Sequence, residues 1–214
     1  MKKTLLLALL FTGLGATPAL AKTYVSGSGG VAFLGNSTLE GVADTIEYYS
    51  GYDFNGAVGY NFGSFRLEGA VGYQNNRVRQ FNGIPATLIL SAGNDARVNF
   101  SMLSYMANAY ADFNVKSSLQ PYVMGGVGAV TTRWVATLRD VVSDKDLRIS
   151  SDVTSFAWQV GLGVGVKLTD HLKLDFGYRY FRPSNAEILM PLLGEIGNIT
   201  LPSHNLITGI RYEF

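Results

Sequence analysis

The feature that most constrains this chain is an alternation of apolar side chains with small or polar ones, repeated with a period of two residues. It is clearest between Phe156 and Leu168, where every second residue is apolar and the residues between are small or polar. Successive side chains of a β-strand point to opposite faces of the sheet. The pattern therefore predicts a strand with one wholly apolar face, and a chain built from such strands is an all-β protein.

The same alternation recurs and predicts eight strands, at residues 23–34, 52–63, 65–75, 98–113, 120–134, 153–168, 171–182 and 204–214. The connections between these strands alternate in length. The short ones are 63–64, 114–119 and 169–170, and the long ones are 35–51, 76–97, 135–152 and 183–203. Each strand reaches the roughly 9–11 residues that a tilted strand needs to cross a bilayer. Short turns at one end and long loops at the other are typical of an eight-stranded, antiparallel, up-and-down transmembrane β-barrel.

The beginning of the chain has the organisation of a secretory signal peptide. Two lysines precede a mainly apolar stretch, and Ala19 and Ala21 form a small-residue cleavage site. The apolar stretch is shorter than the about 20 residues that a transmembrane helix requires. We therefore predict that residues 1–21 are a signal peptide and that residues 22–214 form the barrel domain.

Composition narrows the function classes. The formal net charge is +1, and loss of the two lysines with the signal peptide would bring it to −1. Such a balance gives no support for nucleic-acid binding. The chain has no cysteine, so an exported protein of this kind must be held by its core or by a sheet that closes on itself. We expect no cofactor.

The alternation alone leaves open which face points outward. A soluble lipocalin-like barrel or a β-sandwich would turn its apolar face inward. Here the polar face carries mid-strand charges such as Glu68, Asp175 and Arg179 and is rich in small residues, while aromatic residues cluster at strand ends. Small residues suit a narrow lumen, and aromatic residues at strand ends fit the girdles of a membrane barrel. These features favour an apolar face that contacts lipid.

A series of short motifs spans nearly the whole predicted barrel, at residues 24–34, 54–62, 66–73, 106–110, 121–128, 174–181 and the end at Phe214. In their order and spacing they resemble the porin-family, opacity-type outer-membrane proteins, which share the eight-stranded architecture of the membrane domain of outer membrane protein A. The resemblance implies a location in the outer membrane of a Gram-negative bacterium and a surface-exposed set of loops.

The last strand also resembles the signal that the barrel-assembly machinery reads during biogenesis. Gly209, Tyr212 and Phe214 match the family pattern, whereas Ile207 stands where a polar residue is usual. The resemblance therefore implies that this machinery is a partner during assembly.

Seven charged residues fall on the face predicted to line the lumen, namely Arg66, Glu68, Asp112, Asp175, Arg179, Arg211 and Glu213. A buried charge is costly unless it is paired. The residues could form a structural ion-pair network or the gate of a small pore. Because the interior of an eight-stranded barrel is just wide enough for side chains to fill it, we expect an ion-pair network and no constitutive transport.

Catalysis would require a nucleophile and a base, and the chain offers only His171 and His204 as histidines. His204 follows Ser203, but neighbours on a strand point to opposite faces, so these two residues cannot form a direct dyad. In loop 135–152, Asp140, Asp144 and Asp146 lack the spacing and glycine of an EF-hand. We therefore predict no catalytic residues and no metal site.

The loops remain as the functional candidates. Loop 183–203 is unusually apolar, which indicates either a hairpin packed over the barrel mouth or against neighbouring loops, or a surface patch for a partner or lipid. Our first hypothesis is a monomeric, non-enzymatic surface protein whose four loops contact host molecules, envelope partners or lipopolysaccharide, with a possible role in envelope stability. The alternatives are a small gated channel for ions or small solutes and an outer-membrane lipid-modifying enzyme.

Overall fold

The computed structural model describes residues 22–35, 37–39, 42–48, 50–81, 95–113, 118–140, 145–184, 186–189, 196–199 and 202–214. The predicted signal peptide, with Ala19 and Ala21, lies outside these residues and stays a prediction. No helix in the parts of the chain so described is long and apolar enough to cross a membrane.

The described residues form twelve strands. In chain order they are β1 (Lys22–Leu34), β2 (Ser37–Leu39), β3 (Val42–Tyr48), β4 (Gly51–Asn61), β5 (Phe65–Phe81), β6 (Asp95–Asp112), β7 (Leu119–Asp140), β8 (Lys145–Lys167), β9 (Leu172–Pro183), β10 (Ala186–Leu189), β11 (Ile196–Ile199) and β12 (Ser203–Glu213). Eight of these, β1, β4 to β9 and β12, pair antiparallel with their neighbours in turn, and β12 pairs with β1. The predicted eight-stranded up-and-down barrel is therefore confirmed.

The closure of the barrel has a definite stagger. We follow the register partner of Tyr24 from each strand to the next around the barrel. The successive partners are Gly59, Glu68, Asn108, Gly126, Gln159, Phe181 and Ser203. The path returns to β1 at Leu34, ten residues beyond its start. Such a shear tilts the strands of a closed barrel against its axis. It also decides which inward side chains meet across the lumen.

The two faces of the wall differ as the alternation predicts. Outward-facing apolar side chains are widely exposed, with 59% of Leu162 and 53% of Ile210 accessible, whereas Arg211 on the inner face has 0%. A soluble lipocalin-like barrel or a sandwich would show the reverse. A surface with this many exposed aliphatic and aromatic side chains needs lipid around it, because apolar area in water is unfavourable.

One short turn has a clear local cause. Gly63 has a φ of 94°, in the left-handed region that glycine adopts without a steric penalty. The Gly63 amide donates to Asn61 Oδ1 at 2.8 Å, and the Phe62 amide donates to the Phe65 carbonyl at 2.9 Å. These bonds fix the tight connection between β4 and β5 at the end that carries the short turns.

The outward face of β7 and β8 marks the edge of the membrane. Phe156 is exposed and apolar, but the next outward positions are Thr154, paired with Thr131, and then Asp152, paired with Arg133. The hydrocarbon therefore ends between Phe156 and Thr154. Beyond this edge β7 continues to Asp140, roughly 30 Å further at about 3.3 Å per residue.

This protrusion corrects a sequence prediction. The range 135–152 was predicted as a long loop, but β7 continues to Asp140 and β8 begins at Lys145. On the other side β6 pairs with β7 from Asp95 to Asp112. We call the protruding residues 95–101, 131–140 and 145–154 the extracellular extension. Outside the membrane neither face of a sheet must be apolar, so the period of two disappears from the sequence.

Strands also occur in the other predicted loops. Residues 35–51 contain β2 and β3, and β5 and β6 reach into 76–97. In loop 183–203, β10 pairs antiparallel with β11, as the hairpin alternative predicts. The side chains of both strands lie outside what the structure describes, so the surface-patch alternative stays a prediction. β10 lies beside β8, and β11 lies beside β2. This hairpin thus neighbours the protruding strands at the loop end of the barrel.

Candidate functional site

The inner face of β5 and β6 carries a buried ion pair. Arg66 Nε donates to Asp112 Oδ2 at 2.7 Å, and Arg66 Nη2 donates to Asp112 Oδ1 at 2.9 Å. The two side chains are 2% and 0% exposed. This geometry pairs both nitrogens of the guanidinium edge with both carboxylate oxygens, the arrangement in which arginine binds a carboxylate most specifically.

Aromatic rings enclose the Arg66 guanidinium. Its central carbon lies 4.2 Å from the ring centre of Tyr110, 5.1 Å from that of Tyr122 and 6.0 Å from that of Tyr24. Cation–π attraction favours a cation over a tyrosine face, especially when it is desolvated. The rings thus compensate part of the lost hydration of Arg66 and fill the space around it.

Glu68 organises the same level of the lumen. Its Oε1 accepts hydrogen bonds from Tyr110 Oη at 2.9 Å and from Asn108 Nδ2 at 3.0 Å. Its Oε2 accepts one from Tyr24 Oη at 3.0 Å. The carboxylate therefore joins side chains of β1, β5 and β6 into one network across the barrel.

A second ionic cluster is centred on Arg211 of β12. Arg211 donates from Nε and Nη2 to the two oxygens of Asp175, at 3.1 and 3.0 Å, and from Nη1 to Glu213 at 3.5 Å. Glu213 Oε1 also accepts from Lys173 Nζ and from Asn61 Nδ2, each at 2.9 Å. The cluster links β4, β9 and β12 through charge-assisted bonds.

A third cluster lies towards the loop end. Arg179 forms an ion pair with Asp53 and donates to Asn55 Oδ1 at 3.2 Å. Asn205 Nδ2 donates to Asp53 Oδ2 at 2.8 Å and to Gln74 Oε1 at 3.1 Å. Asp53 thus neutralises the charge of Arg179, which is nearly buried and would otherwise be unpaired.

Apolar side chains complete the filling of the lumen. Met102, Met106, Val130, Ala157 and Phe181 form a buried cluster against which Leu34 packs. The cavity that Arg179 and Asn205 share with Met102 and Phe181 has a volume of about 10 Å³, space for about one water molecule. The ionic and apolar clusters thus occupy much of the part of the lumen that the structure describes.

Glycines make room for the largest inward rings. A Cβ added to Gly177 would lie 2.8 Å from Tyr122 Oη, and one added to Gly59 would lie 2.7 Å from Tyr24 Oη. Both distances are too short for a relaxed contact. The wall therefore lacks side chains where the tyrosines cross the lumen, which explains part of the glycine content of the strands.

All seven charged residues predicted to line the lumen lie inside the barrel, and the structure divides them among the three clusters. Arg66, Glu68 and Asp112 belong to the first, Asp175, Arg211 and Glu213 to the second, and Arg179 to the third. The sequence interpretation missed two partners, Asp53 and Lys173. Both lie on the polar face of predicted strands, so the alternation could have identified them.

The histidines are far from forming a catalytic pair with a serine. Ser203 is buried inside the barrel, whereas His204 is exposed on the outer wall, as the strand alternation predicts. His171 lies in a short turn, where its Nδ1 is 2.8 Å from the Glu213 carbonyl oxygen. Among the residues that the structure describes, no group of three or more histidine, aspartate or glutamate side chains could hold a metal ion.

The side chains of the three aspartates in 135–152 lie outside what the structure describes. Asp140 and Asp146 lie in strands whose side chains are not described, and Asp144 lies outside the described residues. The prediction that they form no metal site therefore stays a prediction.

Phe214 ends the chain beside the first strand. Its amide donates to the Thr23 carbonyl at 2.9 Å, and its ring meets that of Tyr212 at a centroid distance of 5.2 Å. Gly209 pairs with Ser28 inside the same β1–β12 ladder. The residues of the proposed assembly signal thus lie along the strand that closes the barrel.

The extracellular extension carries an exposed ion pair just above the membrane edge. Arg133 Nε and Nη2 donate to the two oxygens of Asp152 at 2.7 and 2.6 Å. The hydrogen bonds from Arg133 lower the pKa of the Asp152 carboxyl. Ser150, Ser151 and Val135 lie beside the pair around a shallow open depression. This surface offers charged and hydroxyl groups rather than apolar contacts.

Comparison with known proteins places this architecture in a family. The model of the outer membrane protein beta-barrel domain matches residues 7–214. The chain belongs to this family. An uncharacterised protein of Brucella suis biovar 1 is 30% identical over 92% of the chain and 86% of its own length. Outer membrane protein PagN of Salmonella typhimurium is 27% identical, but the match covers only 47% of the chain and 44% of PagN.

Among solved structures, Neisserial surface protein A has a similar fold, with a TM-score of 0.55 at 21% identity over 91% of the chain and 99% of the neisserial protein. The predicted location is therefore confirmed: this family member is an outer-membrane protein.

Proposed function

We propose that the chain is a non-enzymatic surface protein, whose barrel anchors extracellular segments for contact with host or envelope molecules. The observation that carries the proposal is the contrast between the two parts of the molecule. The lumen is occupied by side chains, whereas β7 and β8 run on beyond the membrane edge at Thr154. Binding residues are often found on such projecting segments above a rigid scaffold.

The chemistry of the extension supports a polar ligand. Its described outward side chains include Thr131, Arg133, Ser150, Asp152 and Thr154. Thr131 and Thr154 hydrogen-bond each other through their hydroxyls at 2.9 Å. An exposed Arg–Asp pair costs little to reorganise, because water screens it, so both charges are available to a polar partner.

The test is to shorten the extension. We would replace residues 132–153 with Asn-Gly, a pair that favours the tight turn of a hairpin, so that the paired residues Thr131 and Thr154 flank the new turn and the Arg133–Asp152 pair is removed. Bacteria that display either barrel would be incubated with a mammalian epithelial monolayer and with the purified outer-membrane proteins of the same bacterium. We expect the shortened barrel to bind less to one of these probes.

A gel-mobility comparison of heated and unheated samples checks that the shortened barrel still folds. A full-length barrel that confers no binding to either probe would contradict the proposal. So would a folded, shortened barrel that binds as well as the full-length protein.

A second candidate function is a small gated channel, and one observation favours it. Arg211 hydrogen-bonds both Asp175 and Glu213, so its guanidinium has two carboxylates between which it could shift. Planar bilayer recordings separate the two candidates. The surface-protein proposal expects no large, steady conductance, whereas discrete openings that disappear in Arg211→Met would support the channel.

A further inference from the structure

A group of rings on the outer wall has a polar centre. Tyr178 Oη and His204 Nδ1 are 2.6 Å apart, and the ring centres of Tyr180 and His204 are 5.2 Å apart. The Trp158 ring lies 5.5 Å from that of Tyr180. These side chains come from β8, β9 and β12 and form a continuous surface patch, which we call the ring patch.

The ring patch lies at the outer edge of the membrane. Trp158 pairs with Arg182 near the end of β9, and the amide of Ser184 donates to the carbonyl of Phe156, the last apolar outward position of β8. His204 pairs with Phe33, next to the end of β1. The patch therefore lies where the lipid headgroups of the outer leaflet meet the hydrocarbon.

The charge at this level is positive. Arg182 is exposed on the outer face of β9. No aspartate or glutamate occurs at the described outward positions of β1, β9 and β12, or of β8 between Thr154 and Val166. The nearest outward carboxylate on β8 is Asp152, and it is paired with Arg133. Arg182 thus faces the headgroup region with no acidic neighbour on these strands.

His204 can add a directed donor. When the Tyr178 hydroxyl donates to Nδ1, the neutral imidazole carries its proton on Nε2. This second nitrogen can then donate to an acceptor outside the wall. His204 is the register partner of Tyr180, and Arg182 lies two residues further along the same face of β9. Arg182 and His204 are therefore diagonal neighbours, a spacing that long side chains can bridge. A guanidinium and an imidazole donor placed in this way suit a phosphate, which has several acceptor oxygens and a negative charge.

We propose that Arg182 and His204 bind a phosphate group of an outer-leaflet glycolipid of the lipid A type, with Trp158 and Tyr180 packed against its sugar and upper acyl chains. Tryptophan and tyrosine are enriched at this depth because one part of each ring system is apolar and the other polar. The site lies on the wall, so it does not depend on a ligand for the extracellular extension.

The experiment uses the fluorescence of Trp158. The chain has two tryptophans, and a Trp134→Phe background leaves Trp158 as the reporter at the proposed site. The protein would be folded in phosphatidylcholine nanodiscs and titrated with lipid A that carries its phosphates. The same titration with dephosphorylated lipid A measures the part of binding that needs no phosphate.

In this background we expect Arg182→Gln to weaken lipid A binding about tenfold, the effect of one lost charge-assisted contact. His204→Gln should weaken it less, and Arg182→Lys should retain part of the affinity. Lys167→Gln is the matched control, because it removes an exposed cation from the opposite end of β8. It should leave the affinity unchanged.

Equal affinities of the Arg182→Gln protein and its parent would overturn the proposal. So would equal binding of dephosphorylated lipid A, which would indicate apolar contacts alone. A change in Trp158 fluorescence on addition of millimolar inorganic phosphate in the absence of lipid A would indicate a site for free phosphate. This result would also overturn the proposal. The heated and unheated gel mobility of each variant establishes that the barrel is folded.

Discussion

Asp112 lies diagonally opposite Arg66 rather than directly across from it. The register partner of Arg66 is Tyr110, and Asp112 is two positions further along β6. The long arginine side chain spans this offset and still makes two hydrogen bonds to the carboxylate. The directly opposed Tyr110 ring is thereby left over the guanidinium. One register step would separate the charges, so the pair also marks the correct alignment of β5 and β6.

The Arg66–Asp112 pair gives the first prediction. Arg66→Met should lower the free energy of unfolding by about 3–5 kcal/mol, because it leaves the buried Asp112 carboxylate without its partner. The double variant R66M/D112L should recover most of this loss, since apolar side chains of similar size remove both charges. Urea unfolding in lipid vesicles, followed by gel mobility, measures both effects.

Arg133→Met provides a control, because the Arg133–Asp152 pair has similar bonds but lies in water. It should shift the unfolding midpoint far less than Arg66→Met does. A double variant as unstable as Arg66→Met would show that the ion pair is favourable in itself and would contradict this account.

The strands were predictable because two environments act on alternate residues. Lipid outside the barrel requires every second side chain to be apolar, and the narrow lumen requires the side chains between them to be small or polar, as along Phe156–Leu168. The inward charges followed from the same alternation. Their pairing did not, because it depends on the shear. Asn61 and Glu213, for example, lie on β4 and β12 and meet across the intervening β1. The alternation gives the face of each residue but not the stagger.

The strands of the extracellular extension could not be predicted in this way, because lipid does not contact them. Around Arg133 and Asp152 both faces of the sheet can be polar, so backbone pairing rather than side-chain burial determines the strands. A sequence window there has no period to detect. The ring patch was also not predicted as a group, because Trp158, Tyr178 and His204 come from three separate strands and are brought together by the register.

Lumen packing yields a second prediction. Gly177→Ala places a Cβ 2.8 Å from Tyr122 Oη and should destabilise the barrel by about 1–3 kcal/mol, the usual cost of overpacking. Tyr122→Phe removes the hydroxyl and should restore much of the stability in the double variant. Gly56→Ala serves as the control, since a Cβ there meets nothing within 4 Å. Equal losses for Gly56→Ala and Gly177→Ala would refute the steric explanation.

The exposed pair on the extension predicts a pH dependence. Hydrogen bonds from Arg133 lower the pKa of Asp152, so this carboxyl stabilises the folded extension at neutral pH. The stabilisation disappears as the pH falls through the lowered pKa, below the ordinary aspartate value of about 3.9. In Arg133→Gln the Asp152 titration midpoint should rise, as measured by NMR of carbon-labelled aspartate carboxyls.

Asp170 is the internal reference for this titration. Its pKa is lowered by Lys167 in the turn at the opposite end of the barrel, and Arg133→Gln should leave it unchanged. An Asp152 midpoint that stays constant in the variant would show that the hydrogen bonds do not form in solution.

The end of the chain gives the last prediction, which separates assembly from stability. The Phe214 side chain is 64% exposed and contacts the ring of Tyr212, so its loss removes little buried area. If Phe214 is part of a signal for the assembly machinery, Phe214→Ala should lower the amount of folded barrel in the outer membrane of cells. The same variant should refold in lipid vesicles with the normal gel shift. Phe113→Ala is the matched control, because Phe113 is a 53% exposed ring at the same end of the barrel but outside the last strand. Equal depletion of both variants in cells would mean that exposed aromatic residues at this end act on membrane insertion in general rather than through a C-terminal signal.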